Sequence, residues 1–269
     1  MVVQHNMAAS NANRQLGIST NTLSKSTEKL SSGYRINRAA DDAAGLSISE
    51  KMRSQIRGLN KASSNAQDGI SAIQTAEGAL NEAHSILQRM NELATQSAND
   101  TNTTADRTAV QSEVNALTNE LSRIASTSQF NTQNLLDGTF TGKNLQVGAL
   151  ENQKITISIG TMDAKALGVA SLDVKSFTKA GSAMTLIQKA ISKVSGQRSD
   201  LGALQNRLEH TVNNLDNISE NTQTAESRIR DTDMASEMVQ YSATSIIQQA
   251  GQSMLCLLYT SDAADDLIG

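Results

Sequence analysis

The stretch that decides the fold runs from Leu59 to Ala94 and reads LNKASSNAQDGISAIQTAEGALNEAHSILQRMNELA. Apolar and small residues recur in it at alternating steps of three and four, which is the spacing of one face of a long helix that packs against a second helix. We therefore expect a coiled-coil-like seam in this stretch. The seam residues are Leu59, Ala62, Ala66, Gly69, Ile73, Ala76, Leu80, Ala83, Leu87, Met90 and Ala94.

A second stripe of the same kind lies in the C-terminal half, where the spacing loosens around Arg198 and Thr222. Two helical stripes on either side of a glycine-punctuated middle predict a mainly α fold. We expect an elongated helical bundle or coiled coil made from both termini, with a small β-hairpin region in the middle. The second stripe consists of Ile187, Ile191, Val194, Leu201, Leu204, Leu208, Val212, Leu215, Ile218, Ala225 and Ile229.

The composition favours slender helical packing over a thick layered core. The chain has 269 residues with three Phe, three Tyr and no Trp, and its apolar positions are mostly Ala, Leu and Ile. It has no Pro, the residue that breaks helices. The net charge of -4 without a basic tract argues against a nucleic-acid partner. No apolar run has the length of a membrane span, so we expect no membrane insertion.

Periodicity and turn signals predict the order of the elements. A first helix runs from Met7 to about Leu30 and stops at Gly33, which suits a left-handed cap. Asp41 and Asp42 precede the next helix, where their carboxylates can cap exposed backbone amides. The further predicted segments are helices over 43–97 and 105–127, a β-hairpin at about 140–160, and helices over 183–229 and 233–255.

Two stretches near the ends of the chain carry a resemblance to a known family. Residues 29–58, KLSSGYRINRAADDAAGLSISEKMRSQIRG, closely resemble the N-terminal signature of bacterial flagellin. The resemblance continues through shorter stretches and resumes at residues 228–237, RIRDTDMASE. It covers about residues 1–255 and is weakest at 161–182.

The resemblance implies a structural subunit of the bacterial flagellar filament, which assembles itself through terminal coiled-coil helices and gives motility. Residues 1–42 and 233–255 would form the two arms of an axial domain, and residues 43–232 an outer core domain. That leaves no room for a large inserted outer domain, so the chain is similar to minimal flagellins. The arms are expected to join copies through Leu16, Leu23, Leu30, Met234, Met238, Tyr241 and Ile246.

The expected location and partners also follow from the resemblance. The subunit is expected in the extracellular flagellum filament, after export by the flagellar apparatus without a cleaved signal peptide. Its expected partners are other copies of itself, the flagellar export chaperone and the cap proteins. Two alternatives stay open, a hook-filament junction protein and a protein that serves mainly as a host-receptor ligand or adhesin.

Residues 256–269 depart from the family pattern. They begin CLLYTSDAADD, where a flagellin's last helix would continue with more Ala, Gln, Asn and Leu. We interpret them as a non-native tail that is translated from a sequencing adapter and replaces the end of the C-terminal arm. The alternative is a natural variant tail, which an independent reading of the gene would reveal.

No group of residues predicts an enzyme. His5, His84 and His210 are isolated in sequence and lack the spacing of metal ligands. The adjacent carboxylates Asp41 and Asp42 are poor candidates for acid-base partners, because neighbours in sequence rarely converge on one substrate. The glycines are scattered singly, so no phosphate-binding loop is predicted. We expect no catalytic residue, no cofactor and no metal.

One surface on the second and third predicted helices is expected to bind a host receptor. Gln88, Arg89, Leu93 and Glu113 match the positions through which flagellins resembling this chain engage Toll-like receptor 5 of vertebrates. Arg89 and Leu93 are four positions apart, which places them on one helix face. The alternative is that Arg89 and Glu113 are solvated while Leu93 packs on a neighbouring helix.

Overall fold

The computed structural model describes the backbone of residues 7–265 and the side chains through Leu257. Within that range the chain forms six helices and two short antiparallel strand pairs, β1 with β2 and β3 with β4. The predicted mainly α fold is confirmed. The helices are α1 (Met7–Ser32), α2 (Ala43–Ser97), α3 (Thr104–Thr127), α4 (Ala164–Leu167), α5 (Phe177–Arg230) and α6 (Met234–Asp265), and the strands are β1 (Gln129–Phe130), β2 (Gln133–Asn134), β3 (Lys143–Gln146) and β4 (Lys154–Ile157).

The end of α1 and the start of α2 follow the predicted capping chemistry. Gly33 adopts a positive φ of 76° and its amide donates to the Lys29 carbonyl at 2.8 Å, which closes α1. The Asp42 carboxylate accepts from the amide of Gly45 at 2.8 Å, so it satisfies one of the free amides at the start of α2.

Asp41 caps the turn before α2 and not the helix itself. Its carboxylate accepts from the backbone amides of Arg38 at 2.9 Å and Asn37 at 3.1 Å. The hydrogen bond from Arg38, followed by that from Asn37, lowers the pKa of Asp41 because both stabilise the charged carboxylate. The carboxylate therefore fixes the connection between α1 and α2.

Two helix bounds differ from the predictions. Helix α5 begins at Phe177 and not at 183, because the Ser176 hydroxyl accepts from the Lys179 amide and buried Ala180 extends the apolar stripe upstream. Helix α6 continues to Asp265, so its predicted end at residue 255 is wrong. Residues 252–265 contain neither Gly nor Pro to stop it.

The predicted hairpin is present, and two smaller elements were missed. Strands β3 and β4 pair antiparallel from Lys143 with Ile157 to Gln146 with Lys154, inside the predicted range of 140–160. The missed elements are the β1–β2 pair and the single turn α4. Both are too short to establish a periodicity.

The chain divides into two compact units, which we describe separately. The first unit comprises the chain up to residue 55 and from residue 220 onward, and it contains α1 and α6. The second unit comprises residues 56–219 and contains α3, α4, all four strands and most of α2 and α5.

The core of the second unit is the seam that the sequence predicts. Every residue of the predicted Leu59–Ala94 stripe is buried, so that prediction is confirmed. Helix α5 contributes Ile187, Val194, Leu201 and Leu208 at 0% exposure. The core is completed by α3 and by residues of the hairpin region, which lie in the same apolar cluster.

Gly69 allows the hairpin to approach α2 closely. A Cβ atom at this position would collide with the Cδ1 atom of Leu145 in β3. Gly58 has a similar role at the hairpin tip, because its Cβ would lie 2.8 Å from the Cβ of Ala149. Glycine at these two positions of α2 therefore sets how near the hairpin lies to the helix.

Candidate assembly and receptor-facing surfaces

Helices α1 and α6 pack side by side and antiparallel in the first unit. Successive contact residues along α1 meet residues of α6 whose numbers decrease, as expected for antiparallel helices. Two hydroxyl-bearing residues of the first unit, Ser26 on α1 and Thr244 on α6, are buried. The contacts are Leu16 with Gly251, Thr20 with Gln248 at 3.2 Å, and Lys29 with Glu237 at 3.5 Å. Leu16 belongs to this seam, whereas most large apolar residues of α6 remain exposed outside it.

The predicted assembly residues fall into two groups. Leu16, Leu23 and Leu30 are half-buried on α1, and Tyr241 is half-buried on α6. Met234, Met238 and Ile246 are exposed by 49%, 57% and 66%. The α6 residues therefore do not share one face, because the five positions from Tyr241 to Ile246 rotate the helix to a direction about 140° away.

Helix α6 carries an exposed apolar surface, which we call the outer face of α6. More than half of most of these side chains is open to solvent, although each is a large hydrophobic residue. At about 100° per residue these positions spread over roughly 220° of the helix circumference, and so many exposed large apolar residues on one helix mark a region of protein association. The outer face of α6 consists of Met234, Met238, Val239, Ile246, Ile247 and Met254.

A clamp of three side chains joins the turn after α1 to the end of α5. The Arg230 guanidinium lies 4.7 Å from the centroid of the Tyr34 ring and donates to Glu50 at 2.8 Å. The amide of Arg35 donates to the Arg230 carbonyl at 2.6 Å, and its guanidinium donates to the Ile229 carbonyl at 2.5 Å. Arg230 is the main reason that the pKa of Glu50 is lowered.

Sequence reasoning did not identify this clamp, although a signal was present. Tyr34 and Glu50 lie in the N-terminal signature, and Arg230 lies in the matching C-terminal stretch. The two stretches that carry the family resemblance are thus the two that meet in the first unit.

The structure places three of the four predicted receptor residues at the surface of the second unit. Gln88, Arg89 and Glu113 are exposed. Arg89 bridges α2 to α3 by donating twice to Glu113 Oε1, at 3.1 Å and 3.0 Å, and it also donates to Glu92 at 3.1 Å. The cation is therefore held in one position on the surface.

Leu93 is not part of that surface. Its side chain is 1% exposed and belongs to the apolar core. The i and i+4 positions of a helix differ by about 40° in direction, so Arg89 lies at the edge of the buried face while Leu93 lies within it. Of the two interpretations of Leu93, packing against neighbouring elements is the one observed.

The described residues contain no metal-binding cluster, since no three His, Cys, Asp or Glu side chains among them converge to hold an ion. Between residues 7 and 265, no helix combines the length and apolar character needed to cross a membrane.

Comparison with known protein families identifies the family of the chain. The bacterial flagellin N-terminal helical region matches residues 3–141, and the bacterial flagellin C-terminal helical region matches residues 184–261. The chain belongs to the bacterial flagellin family. Flagellins are structural proteins, and as a member of this family the chain is a subunit of the flagellar filament, which self-assembles from copies of it outside the cell.

Similar flagellins span nearly the whole chain. A flagellin of Halalkalibacterium halodurans is 56% identical over 257 residues, which cover 95% of this chain and 94% of the relative. The flagellar filament 33 kDa core protein of Treponema phagedenis is 50% identical, and a flagellin of Bacillus subtilis is 47% identical. Each of these two alignments covers 95% of both chains.

Solved structures agree with this assignment at the level of the fold. The crystal structure of Bacillus cereus flagellin matches with a TM-score of 0.50 and 33% identity, over 56% of this chain and 88% of that one. A putative flagellar hook-associated protein from Vibrio parahaemolyticus has a TM-score of 0.60 over 71% of this chain and 100% of its own, at 12% identity. That second similarity shows a shared fold alone, so the sequence relatives favour flagellin over a junction protein.

Proposed function

We propose that residues 1–42 and 233–255 are the axial arms through which this flagellin polymerises, with residues 43–232 as the outer core. The observation that carries the proposal is the outer face of α6. Burying one large apolar side chain contributes about 1.5–3 kcal/mol. Six residues that are about half to two-thirds exposed therefore contribute a free energy of the same order as the roughly 4–15 kcal/mol of freedom that association costs.

The half-buried leucines of α1 support the same role. Leu16, Leu23 and Leu30 keep part of their side chains at the surface beside α6. Copies that pack against both helices would cover these leucines as well. The arms thus bind other copies of the chain. We expect the protein to act as a structural subunit and not as an enzyme.

The same exposed surface supports two transient partnerships. A subunit that waits for export with six large apolar residues uncovered is prone to aggregate. We propose that the flagellar export chaperone covers the outer face of α6 until export, which proceeds without a cleaved signal peptide, and that the cap proteins guide assembly outside the cell.

The proposal is tested by replacing Met238 and Ile246 with Ser. We expect the double variant to lose filament formation in electron microscopy and sedimentation, while circular dichroism shows unchanged helix content. Gln249→Ser, an exposed polar change on α6, is the matched control and retains assembly. Normal filament yield from the double variant would contradict the role of this face.

We further propose that Gln88, Arg89 and Glu113 form a receptor-binding surface for Toll-like receptor 5. The support is geometric, because the ion pairs with Glu113 and Glu92 hold Arg89 in place before binding. A fixed side chain loses less conformational entropy when it contacts a partner. Leu93 contributes from inside the core by supporting α2 beneath this surface.

Arg89→Ala tests the receptor proposal in a binding assay with the monomeric subunit. We expect weaker binding than for the parent chain. Arg123→Ala is the control, because Arg123 forms a comparable exposed ion pair with Glu120 on α3. Equal binding by the Arg89 variant and the parent would count against this surface.

A further inference from the structure

The second unit has a cavity of about 250 Å³ beside the β3–β4 hairpin. Its walls include the rings of Phe130 and Phe140, two of the three phenylalanines in the chain, together with Leu145. The exposed side chains of Asp68 and Lys143 also line it. Pockets for drug-sized ligands measure about 300–1,000 Å³, so this smaller cavity suits an inserted side chain better than a separate ligand.

A large apolar side chain stands out from the tip of the same hairpin. Leu150 is 68% exposed, yet its backbone is fixed on both sides. Its amide donates to the Gln153 side-chain oxygen at 3.0 Å, and its carbonyl accepts from the Gln146 side-chain amide at 2.6 Å. Because this backbone is already ordered, insertion of Leu150 into a partner costs little conformational entropy.

The cavity and the tip lie at opposite ends of one hairpin. Lys143 and Ile157, the first pair of the ladder, line the cavity, whereas the tip follows the last pair, Gln146 with Lys154. At about 3.3 Å per residue the two pairs are about 10 Å apart, and Leu150 is not among the cavity residues. A contact between tip and cavity of different copies is therefore head-to-tail, and repetition of a head-to-tail contact builds either a closed ring or an open polymer, of which the open polymer suits a filament.

The charges beside the two features are complementary. Glu151 follows Leu150 at the tip, and Lys143 lies beside the cavity, 5.8 Å from the Phe140 ring centroid. Neither forms an ion pair with another described residue. Asp68 repels a second carboxylate, so the fit places Glu151 on the Lys143 side of the cavity.

We propose that Leu150 of one copy inserts into the Phe130–Phe140 cavity of a second copy, with Glu151 facing Lys143 of that copy. This inference rests on the proposed function as a filament subunit and names an additional contact between copies, made by the second unit and not by the arms. Through this contact the β3–β4 hairpin would help to determine how neighbouring subunits are arranged.

Cysteine cross-linking tests the contact in the full chain carrying Cys256→Ser. Leu150→Cys combined with Gln133→Cys, an exposed cavity residue, is allowed to oxidise after ammonium sulfate has promoted association. We expect a ladder of covalent oligomers on a denaturing gel. Phe177→Cys combined with Gln133→Cys is the control, since Phe177 is similarly exposed at 61% but has no place in the contact.

Each outcome of this experiment is decisive. Filaments in the electron microscope without a covalent ladder, dimers alone, or an equal ladder from the Phe177 control would overturn the inference and leave the proposed function standing. No filaments and no oligomers from any variant, including the chain without added cysteines and the chain with residues 256–269 replaced by the C-terminal residues of the Halalkalibacterium halodurans flagellin, would overturn both. As an independent check, Lys143→Glu should reduce the sedimented fraction several-fold, and adding Glu151→Lys should restore it; loss without restoration would contradict the pairing.

Discussion

The guanidinium of Arg230 stacks on the ring of Tyr34, 4.7 Å from its centroid, and so joins residues from near opposite ends of the chain. Around this contact the backbone of residues 33–35 hydrogen-bonds to that of residues 230–232. The first unit thus depends on the two termini folding together.

Replacing Arg230 with Met should destabilise the protein. The variant keeps an apolar side chain of similar length but loses the cation–π contact, which is worth about 1–2 kcal/mol at a site that is largely shielded from solvent. The Arg230 side chain is only 13% exposed. Urea unfolding measures the change. Arg53→Met removes the other cation paired with Glu50, at a side chain 41% exposed, and should have a smaller effect; the reverse order would contradict the clamp.

The stability of the helix α3 start should depend on pH through Asp106. Hydrogen bonds from the Thr103 hydroxyl at 2.7 Å and amide at 2.9 Å lower its pKa from the ordinary 3.8. Because the folded pKa is the lower one, the stabilisation is present above pH 3.8 and is lost as the pH falls through the folded value. Urea midpoints between pH 6 and pH 2 should fall less steeply for Asp106→Asn than for the parent. Parallel curves would contradict this account.

Two glycines of α2 should respond in opposite directions to alanine. Gly69→Ala forces a Cβ into Leu145 and should cost about 1–3 kcal/mol. Gly78→Ala meets no atom within 4 Å and should stabilise the helix by up to about 1 kcal/mol. Thermal unfolding of both variants gives the comparison. A gain in stability for Gly69→Ala would show that the hairpin does not need this close approach.

Leu93 and Gln88 separate core packing from surface recognition. Leu93→Ala opens a cavity in the core and should cost about 2–5 kcal/mol. Gln88→Ala changes an exposed side chain and should alter the free energy of unfolding by no more than about 0.5 kcal/mol. Denaturant titration of the two variants tests this. A mild effect at Leu93 would mean that its side chain is available to a partner after all.

The end of the chain should limit assembly. The residues from Cys256 onward include Asp262, Asp265 and Asp266, and burying such charges where copies pack is costly. Replacing residues 256–269 with the C-terminal residues of the Halalkalibacterium halodurans flagellin should raise filament yield in electron microscopy. Equal yield from both chains would contradict the interpretation of this segment as a non-native tail.

The buried seam was predictable residue by residue, because a single period carries it from Leu59 to Ala94. The hairpin was predictable from alternation at Ile155 and Ile157. The sequence did not show which apolar residues of α6 are covered and which are exposed. Tyr241 and Ile246 are both apolar, and only the position of α1 decides which of them is covered. Leu93 was ambiguous for the same reason, because only the neighbouring elements show that it lies within the buried face while Arg89 lies at its edge.

The sequence by itself determined the long helices, their paired stripes and the family, because these depend on local periodicity and on which residues occupy each position. Tertiary structure alone decided the Tyr34–Arg230 clamp, the antiparallel seam of α1 with α6, and the placement of the Phe130–Phe140 cavity opposite Leu150. The clamp and the α1–α6 seam join residues that are distant in sequence, and the hairpin keeps the cavity residue Lys143 apart from Leu150 although both belong to one short stretch of chain. The direction of a side chain relative to a neighbouring element is fixed by packing, which no local pattern of residues encodes.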